Sequence, residues 1–78
     1  MSPEQCRAAR AWLDLSQDDL AELALVSLST VRDFEKGRRK PIPNNLEAIK
    51  RAMETKGIVF QEAKNGDPLG IFWTDSPK

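Results

Sequence analysis

The sequence predicts a mostly α-helical fold of four short helices followed by a C-terminal β-hairpin. Four segments before residue 57 carry apolar residues at helical spacing, and each has a residue near its start that caps helices well. Beyond Gly57, two β-prone runs flank Asn65-Gly66, the strongest short-range hairpin signal. Three regions are predicted: a helical domain over 1–57, a hairpin over 58–74 and a tail over 75–78.

The first helix is predicted to begin directly after Ser2. That serine can cap the helix, Pro3 suits its first position, and Gln5 stands three residues after the cap, as in a capping box. Small and apolar residues then recur on one side of the helix: Cys6, Ala9 and Leu13. Because Cys6 belongs to this inward stripe, its side chain is expected to be buried and unreactive.

The second helix is predicted to follow Ser16. Its hydroxyl can cap the first turn, in which Asp19 lies three residues later. The residues expected to face inward are Leu20, Leu23 and Ala24. This helix must be short, because Ser27 can already cap the next one.

The third helix is predicted between Ser27 and Gly37. Val31 and Phe34 set its buried direction, and Gly37 ends it where a left-handed conformation is easiest. At about 100° per residue, the opposite face is exposed to solvent. That face consists of polar residues: Ser29, Arg32, Asp33 and Lys36. Leu28 lies at its flank.

The fourth helix is predicted after a proline-rich connection. Pro41 and Pro43 flank Ile42, so this stretch must be extended, and Ile42 is expected to anchor it in the core. Asn44 is expected to cap the helix, and Gly57 to end it. The residues predicted to face inward are Leu46, Ile49 and Met53.

The hairpin is predicted to turn at the two residues Asn65-Gly66. The strand pairs that this turn implies are Ile58 with Trp73, Val59 with Phe72, and Phe60 with Ile71. The face expected to be buried consists of Ile58, Phe60, Leu69, Ile71 and Trp73. Pro68 favours a wider loop, since it cannot donate to the strand ladder.

A two-stranded hairpin is only marginally stable alone, and its outer edges invite pairing. The hairpin is therefore expected to meet its counterpart in a second subunit. The candidate dimer contacts are Val59, Phe60, Ile71, Phe72 and Trp73. The alternative is that the hairpin merely covers the helical core of one monomer.

Composition excludes several classes of protein. The 78 residues include one cysteine and no histidine, which excludes a zinc finger and leaves no ordinary nucleophilic or acid-base site. We therefore expect no enzyme activity, no metal and no cofactor. No apolar run is long enough for a membrane span or a signal peptide, so a cytoplasmic protein without a membrane partner is expected.

Charge is balanced in total but not in distribution. Twelve basic and twelve acidic residues give a formal net charge of zero, which argues against indiscriminate coating of nucleic acid. Basic residues are nevertheless crowded in and after the third helix: Arg32, Lys36, Arg38, Arg39 and Lys40. Acidic residues lie on and before the second helix: Asp14, Asp18, Asp19 and Glu22. Such a separation lets one face of the protein meet phosphates.

Short motifs follow one another along the second and third predicted helices: Leu15-Ser16-Gln17, Leu20-Ala21, Val26-Ser27, Ser29-Thr30-Val31 and Glu35-Lys36-Gly37. Together they resemble the helix-turn-helix of the lambda-repressor/Cro-like (xenobiotic response element) family, and the resemblance covers residues 3–56. Leu25 departs from the family pattern, because such proteins usually carry glycine in this turn. A strained Leu25 with positive φ, or a slightly different turn, is expected.

The resemblance implies roles for individual residues. Base edges in the major groove would be read by Leu28, Ser29, Arg32 and Asp33. Backbone phosphates would be contacted by Gln17, Ser27, Thr30, Lys36, Arg38, Arg39 and Lys40. Arg10 and Glu35 would form a structural ion pair, as an arginine and a glutamate at these places often do in the family.

The resemblance also implies a function. It favours a small bacterial or phage transcriptional regulator, a repressor rather than an activator, that binds a pseudo-palindromic double-stranded DNA operator as a homodimer. The alternative is a protein-binding module, such as an antitoxin or antiactivator, that presents the same helices to a protein partner. The zero net charge, the acidic second helix and the apolar Leu28 favour this alternative.

Overall fold

The computed structural model describes residues 1–73, which form four α-helices and one two-stranded antiparallel sheet. The helices are α1 (Pro3–Trp12), α2 (Gln17–Ala24), α3 (Leu28–Glu35) and α4 (Pro43–Glu54), and the strands are β1 (Ile58–Glu62) and β2 (Pro68–Trp73). The mostly α-helical fold with a C-terminal hairpin is thus confirmed. Thr74, predicted to end the hairpin, and the predicted tail 75–78 lie outside the described residues. None of the helices within 1–73 is both long and apolar enough to cross a bilayer.

Serine caps start the first two helices as predicted. The amide of Gln5 donates to Ser2 Oγ at 3.0 Å, and the amide of Ser2 donates to Gln5 Oε1 at 2.9 Å. Asp19 and Ser16 make the same reciprocal bonds at the start of α2, at 2.9 and 3.0 Å. These bonds satisfy donors that the first turn of a helix leaves free, so the local sequence determines where both helices begin.

The start of α4 differs from the prediction. Pro43 occupies the first helical position and Ile42 is the cap residue, without a side-chain cap, so Asn44 lies inside the first turn and its predicted role as cap is wrong. Proline already has a helical φ and needs no backbone donor, which allows the helix to begin before Asn44. Ile42 is 63% exposed, so its predicted role as a core anchor is also wrong.

The core lies where the four helices meet the first strand. Its largest fully buried side chains are Leu20, Ile49, Met53, Ile58, Val31 and Cys6. In α2, the predicted inward residue Leu23 is instead 47% exposed. The buried arc of this short helix runs from Leu20 through Ala24 to Ala21, and Leu23 lies beyond its edge.

The base of the hairpin has the predicted register. The observed pairs are Ile58 with Trp73, Val59 with Phe72, and Phe60 with Ile71. Ile58 is buried, and Phe60 and Ile71 pack against the core from the same face. Trp73, at the end of the described chain, is 39% exposed, so its predicted burial is wrong. Val59 and Phe72 point to the opposite face, since side chains alternate along a strand.

The loop of the hairpin is wider than the two residues Asn65-Gly66, as Pro68 favours. Glu62 pairs with Pro68, so the register shifts and Leu69 is left as the extra residue of a bulge. Because Pro68 has no N–H for the ladder, regular pairing stops there, and the loop spans 63–67 instead of two residues. Leu69 is consequently 67% exposed, and its predicted burial is wrong.

A buried amide attaches the hairpin to α1. Gln5 Nε2 donates to the carbonyl oxygens of Gln61 at 2.9 Å and Gly70 at 2.8 Å, one on each strand. Gln5 Oε1 completes the cap of α1, so this buried side chain has all its polar atoms paired. At the far end of α1, the rings of Trp12 and Trp73 lie 6.4 Å apart between centroids.

Candidate nucleic-acid interface

The turn between α2 and α3 holds Leu25 in the left-handed region, at φ 58° and ψ 42°. Glycine adopts this conformation freely, whereas a residue with a Cβ is strained in it by about 1–2 kcal/mol. The strained Leu25 is thus one of the two outcomes expected from the sequence. Its side chain is 91% exposed, so packing within residues 1–73 contributes little to offset the strain.

Three hydroxyl groups gather at the N-terminal end of α3. Ser27 Oγ accepts from the amide of Thr30 at 3.2 Å and lies 2.8 Å from Thr30 Oγ1. Ser29 Oγ lies 3.1 Å from Ser27 Oγ. Ser27 and Ser29 are exposed and Thr30 is half-buried. Hydroxyl groups beside the free amides of a helix N-terminus suit a phosphate oxygen or a base edge.

The polar face of α3 is free to meet a partner. Arg32 and Lys36 are exposed and Asp33 is half-buried. Across residues 1–73, none of these three forms a salt bridge. Leu28 is half-buried and packs part of its surface against the core, which leaves the rest for an external contact.

The chain leaves α3 through a left-handed glycine, as predicted. Gly37 has a φ of 71°, and the amide of Arg38 donates to the carbonyl of Asp33 at 2.9 Å. This pattern is a Schellman cap, which reverses the chain at the end of a helix. The basic residues that follow, Arg38, Arg39 and Lys40, are all exposed.

A cleft of about 230 Å³ separates α3 from the loop that follows it. Its walls include Ser29, Thr30, Asp33, Arg39, Lys40 and Ile42. The fold therefore brings predicted base-reading and predicted phosphate-contacting residues to one surface. Asn45 of α4 also lines the cleft. Ile42 and Asn45 were not predicted at this surface, because an apolar residue between prolines indicates a core position and no local pattern shows that the start of α4 adjoins α3.

At the other end of α3, the carboxylate of Glu35 is buried and fully hydrogen-bonded. Arg10 donates to both oxygens, from Nε to Oε2 at 3.0 Å and from Nη2 to Oε1 at 2.9 Å. Gln17 Nε2 donates to Oε1 at 3.0 Å, and Cys6 Sγ donates to Oε2 at 3.2 Å. Arg7 donates to the backbone carbonyl of Glu35. The structure contains the ion pair expected between Arg10 and Glu35, and it adds partners that the sequence did not indicate.

These contacts keep the Glu35 carboxyl ionised. Burial by itself would raise the pKa of Glu35, but the hydrogen bonds it accepts, first that from Arg10, hold the pKa below its ordinary value. The pKa of the Cys6 thiol is raised by burial and by its bond to Glu35. The thiol therefore stays protonated and donates, and α1, α2 and α3 are tied together at one charged point.

Gln17 links this charged point to the predicted phosphate contacts. It is the first residue of α2, and its side chain is half-buried. Because the ionised Glu35 only accepts hydrogen bonds, Gln17 must present its nitrogen to it. The second N–H and the carbonyl oxygen of the amide have no bond within residues 1–73 and are available to an external partner. Its phosphate contact stays a prediction.

The pattern of a helix-turn-helix family matches residues 7–58, which is more than half of the chain. The matched range contains α2, the turn at Leu25, α3 and α4 in full. A comparison with curated proteins gave no match. The chain belongs to the Cro/C1-type helix-turn-helix family of DNA-binding regulators.

Proposed function

We propose that this protein is a sequence-specific transcriptional repressor that binds a pseudo-palindromic operator as a dimer. The observation that carries the proposal is the polar face of α3, which is exposed at Ser29, Arg32 and Lys36, forms no salt bridge within 1–73 and lies beside a cationic loop. A helix-turn-helix places the start of its second helix in the major groove, while the first helix crosses the DNA backbone. In this chain α3 would be that second helix.

Four side chains of α3 are proposed to read base edges: Leu28, Ser29, Arg32 and Asp33. The exposed part of Leu28 suits a thymine methyl, Arg32 favours guanine, and Asp33 accepts from the amino group of cytosine. Asp33 also repels phosphates, so it penalises wrong sites more than it strengthens binding to the right one. Ser29 can donate or accept.

Phosphate contacts are proposed on both sides of this helix, at Gln17, Ser27, Thr30, Lys36, Arg38, Arg39 and Lys40. Ser27 and Thr30 lie at a helix N-terminus, where the dipole and the free amides attract anions. The loop cations are exposed and able to follow the backbone. Since the net charge is zero, the affinity for DNA depends on these local cations and should fall steeply with salt.

Two copies are proposed to bind together. One helix-turn-helix contacts too little DNA for tight specific binding, and a two-fold dimer on half-sites about one helical turn apart solves this. The bound dimer would occupy an operator in bacterial or phage DNA within the cytoplasm and exclude polymerase. The concentration of the protein itself would then control its effect.

The decisive experiment is a titration of the purified protein against the DNA upstream of its own gene and against a scrambled duplex, at two salt concentrations. We expect sub-micromolar binding confined to the upstream fragment, with affinity falling as salt rises. Equal, weak binding to both duplexes would contradict an autoregulatory operator.

A pair of charge-matched double variants identifies the surface involved. Arg38→Ala with Arg39→Ala should weaken binding and reduce the salt slope by about 2, because two phosphate contacts are lost. Lys56→Ala with Lys64→Ala removes the same charge from exposed positions outside the proposed interface and should leave the slope unchanged. Equal losses in both would show that net charge, and not this surface, governs binding.

A protein-binding module is the second candidate, because Leu23 of α2 and Leu25 of the turn after it expose apolar side chains, and the first turn of α2 is acidic. Under this alternative the chain forms a complex with a protein partner and does not need its loop cations. The double variant of Arg38 and Arg39 separates the two functions: it should weaken DNA binding under the first and leave complex formation intact under the second.

A further inference from the structure

The hairpin turns one apolar face away from the core. This outer face consists of Val59 and Gln61 on β1 and of Gly70 and Phe72 on β2, because side chains alternate along each strand. Phe72 is 48% exposed and lies directly across from the half-buried Val59. A large aromatic ring in solvent beside a second apolar residue is a surface that gains free energy when it is covered.

Gly70 has no side chain, so the row of outward-facing side chains on β2 has a gap, or hollow, beside Phe72. A Cβ built at Gly70 would meet nothing within 4 Å, and its φ is not positive. The extra residue of the bulge is Leu69, so the bulge does not require glycine at position 70. Glycine weakens a strand and often marks a place where something approaches closely. Nothing within residues 1–73 occupies this place, so it is open to a side chain of another molecule.

The charge of the outer face suits a second copy of the same chain. A two-fold contact sets each patch against itself, so a charge near the axis would face an identical charge. The outer face carries no charged residue, although 31% of the chain is charged. Phe72 lies two residues from Gly70 on the same strand, so one patch offers both a projection and a hollow.

We propose that two copies pack their outer faces together across a two-fold axis, with Phe72 of each copy seated over Gly70 of the other. This contact rests on the proposed function, because it would join the two subunits that each bind one half of the operator. It also narrows the predicted dimer contacts. Phe60 and Ile71 pack against their own core and Trp73 contacts Trp12 of its own chain, which leaves Val59 and Phe72 for the partner.

Sedimentation of the full chain without DNA tests the contact. We expect the wild type to show a concentration-dependent dimer, and Phe72→Ser and Gly70→Val each to raise its dissociation constant by about tenfold or more. Gly70→Val is the sharper variant, because it adds apolar surface and strand propensity and still blocks the hollow. Its thermal midpoint, measured where the protein is monomeric, should equal or exceed that of the wild type. Leu25→Ser removes an exposed apolar side chain elsewhere and should leave the dimer unchanged.

A wild type that stays monomeric up to millimolar concentration would overturn the proposal, as would a Gly70→Val dimer of undiminished affinity. If Gly70→Val does not fold, the dissociation constant of the Phe72→Ser dimer, measured in the same way, tests the contact, because this substitution adds no bulk. The DNA titration keeps the two proposals apart. A dimer that does not bind the upstream DNA would contradict the proposed function but not this contact. A monomer that binds the upstream DNA specifically would contradict this contact but not the binding of an operator.

Discussion

The two ends of α3 are built in opposite ways. At its N-terminal end the side chains are exposed or half-buried, the hydroxyls bond mainly to one another, and the preceding turn keeps Leu25 in a strained conformation. At its C-terminal end Glu35 is buried with its carboxylate fully bonded, and Gly37 makes the left-handed turn without strain. The helix is therefore held firmly at one end and presented to a partner at the other.

This difference separates stability from recognition along one short helix. Groups that are already paired inside the protein have little left to offer DNA, whereas unpaired groups contribute little to folding. Substitutions at the Glu35 end should therefore change stability most, and substitutions near the start should change binding most.

The largest effect is expected from Glu35→Gln. It removes the counter-ion of Arg10 and leaves a partly buried guanidinium unpaired, which should lower the free energy of unfolding by about 3 kcal/mol, the lower end for broken buried pairs. Urea denaturation measures the change. Glu47→Gln is the matched control: its 3.5 Å pair with Arg51 is exposed, so a loss of about 0.5 kcal/mol at most is expected. Equal losses would show that the buried cluster is not what holds α3.

Acid should act through the same carboxyl. The folded pKa of Glu35 lies below its ordinary value of 4.5, so the unfolded chain binds its proton first. The stability from this group is thus present in full above that value and is lost as pH falls through the folded pKa. Denaturation across acid pH should show a steeper loss for the wild type than for Glu35→Gln. Glu62→Gln, which removes an exposed carboxyl whose pKa is lowered by the terminal amine, should keep most of the wild-type slope.

At the other end of α3, Arg32→Ala should weaken operator binding by about 1–3 kcal/mol. The free energy of unfolding should stay within about 0.5 kcal/mol of the wild type, because Arg32 is exposed and has no salt bridge within 1–73. Titrations on operator and scrambled DNA measure the first quantity, and denaturation measures the second. Arg51→Ala, an exposed arginine on α4, should spare operator affinity. Equal losses on both duplexes would assign Arg32 to a phosphate and not to a base.

The smallest effect is expected at the turn before α3. Leu25→Gly relieves about 1–2 kcal/mol of left-handed strain but adds about 0.4–1 kcal/mol of unfolded-chain entropy, so stability should rise by about 0.5 kcal/mol. Gly37→Ala has the opposite effects: it introduces left-handed strain and reduces the entropy of the unfolded chain, so stability should fall by about 1 kcal/mol. Thermal and urea denaturation measure both. A loss of stability in Leu25→Gly would mean that the leucine side chain makes a contact worth more than the strain.

Much of the fold follows from local signals, and the exceptions have identifiable causes. Ser2 and Ser16 cap their helices as predicted, because a cap is a bond between residues three positions apart. Asn44 does not cap α4, because Pro43 can start a helix by itself. Leu69 is exposed because it is the extra, unpaired residue of a bulge that the sequence pattern does not indicate.

In the candidate site, too, local features follow from the sequence and contacts between distant residues do not. The exposure of Arg32 and Lys36 follows from helical periodicity, and so does the burial of Val31. The bond from Gln17 to Glu35 joins residues 18 positions apart and that from Cys6 joins residues 29 apart, so no pattern within one helix indicates them. Ile42 is a position at which the local pattern is misleading. An apolar residue between prolines indicates a core position, but in the structure Ile42 lies in the cleft beside α3.

By itself, the sequence determined where the first three helices begin, which side of α3 faces solvent, and how the base of the hairpin pairs. The helix starts and the exposed side of α3 depend on residues a few positions apart, and the hairpin pairing depends on the alternation of side chains on either side of one turn. Only the tertiary structure decided that the Glu35 carboxylate joins α3 to α1 and α2 by hydrogen bonds. It also decided that Ile42 and Asn45 adjoin the recognition surface and that the exposed Phe72 lies beside the open space at Gly70. Burial and pairing of this kind depend on which distant elements meet, and that is set by the packing of the whole core.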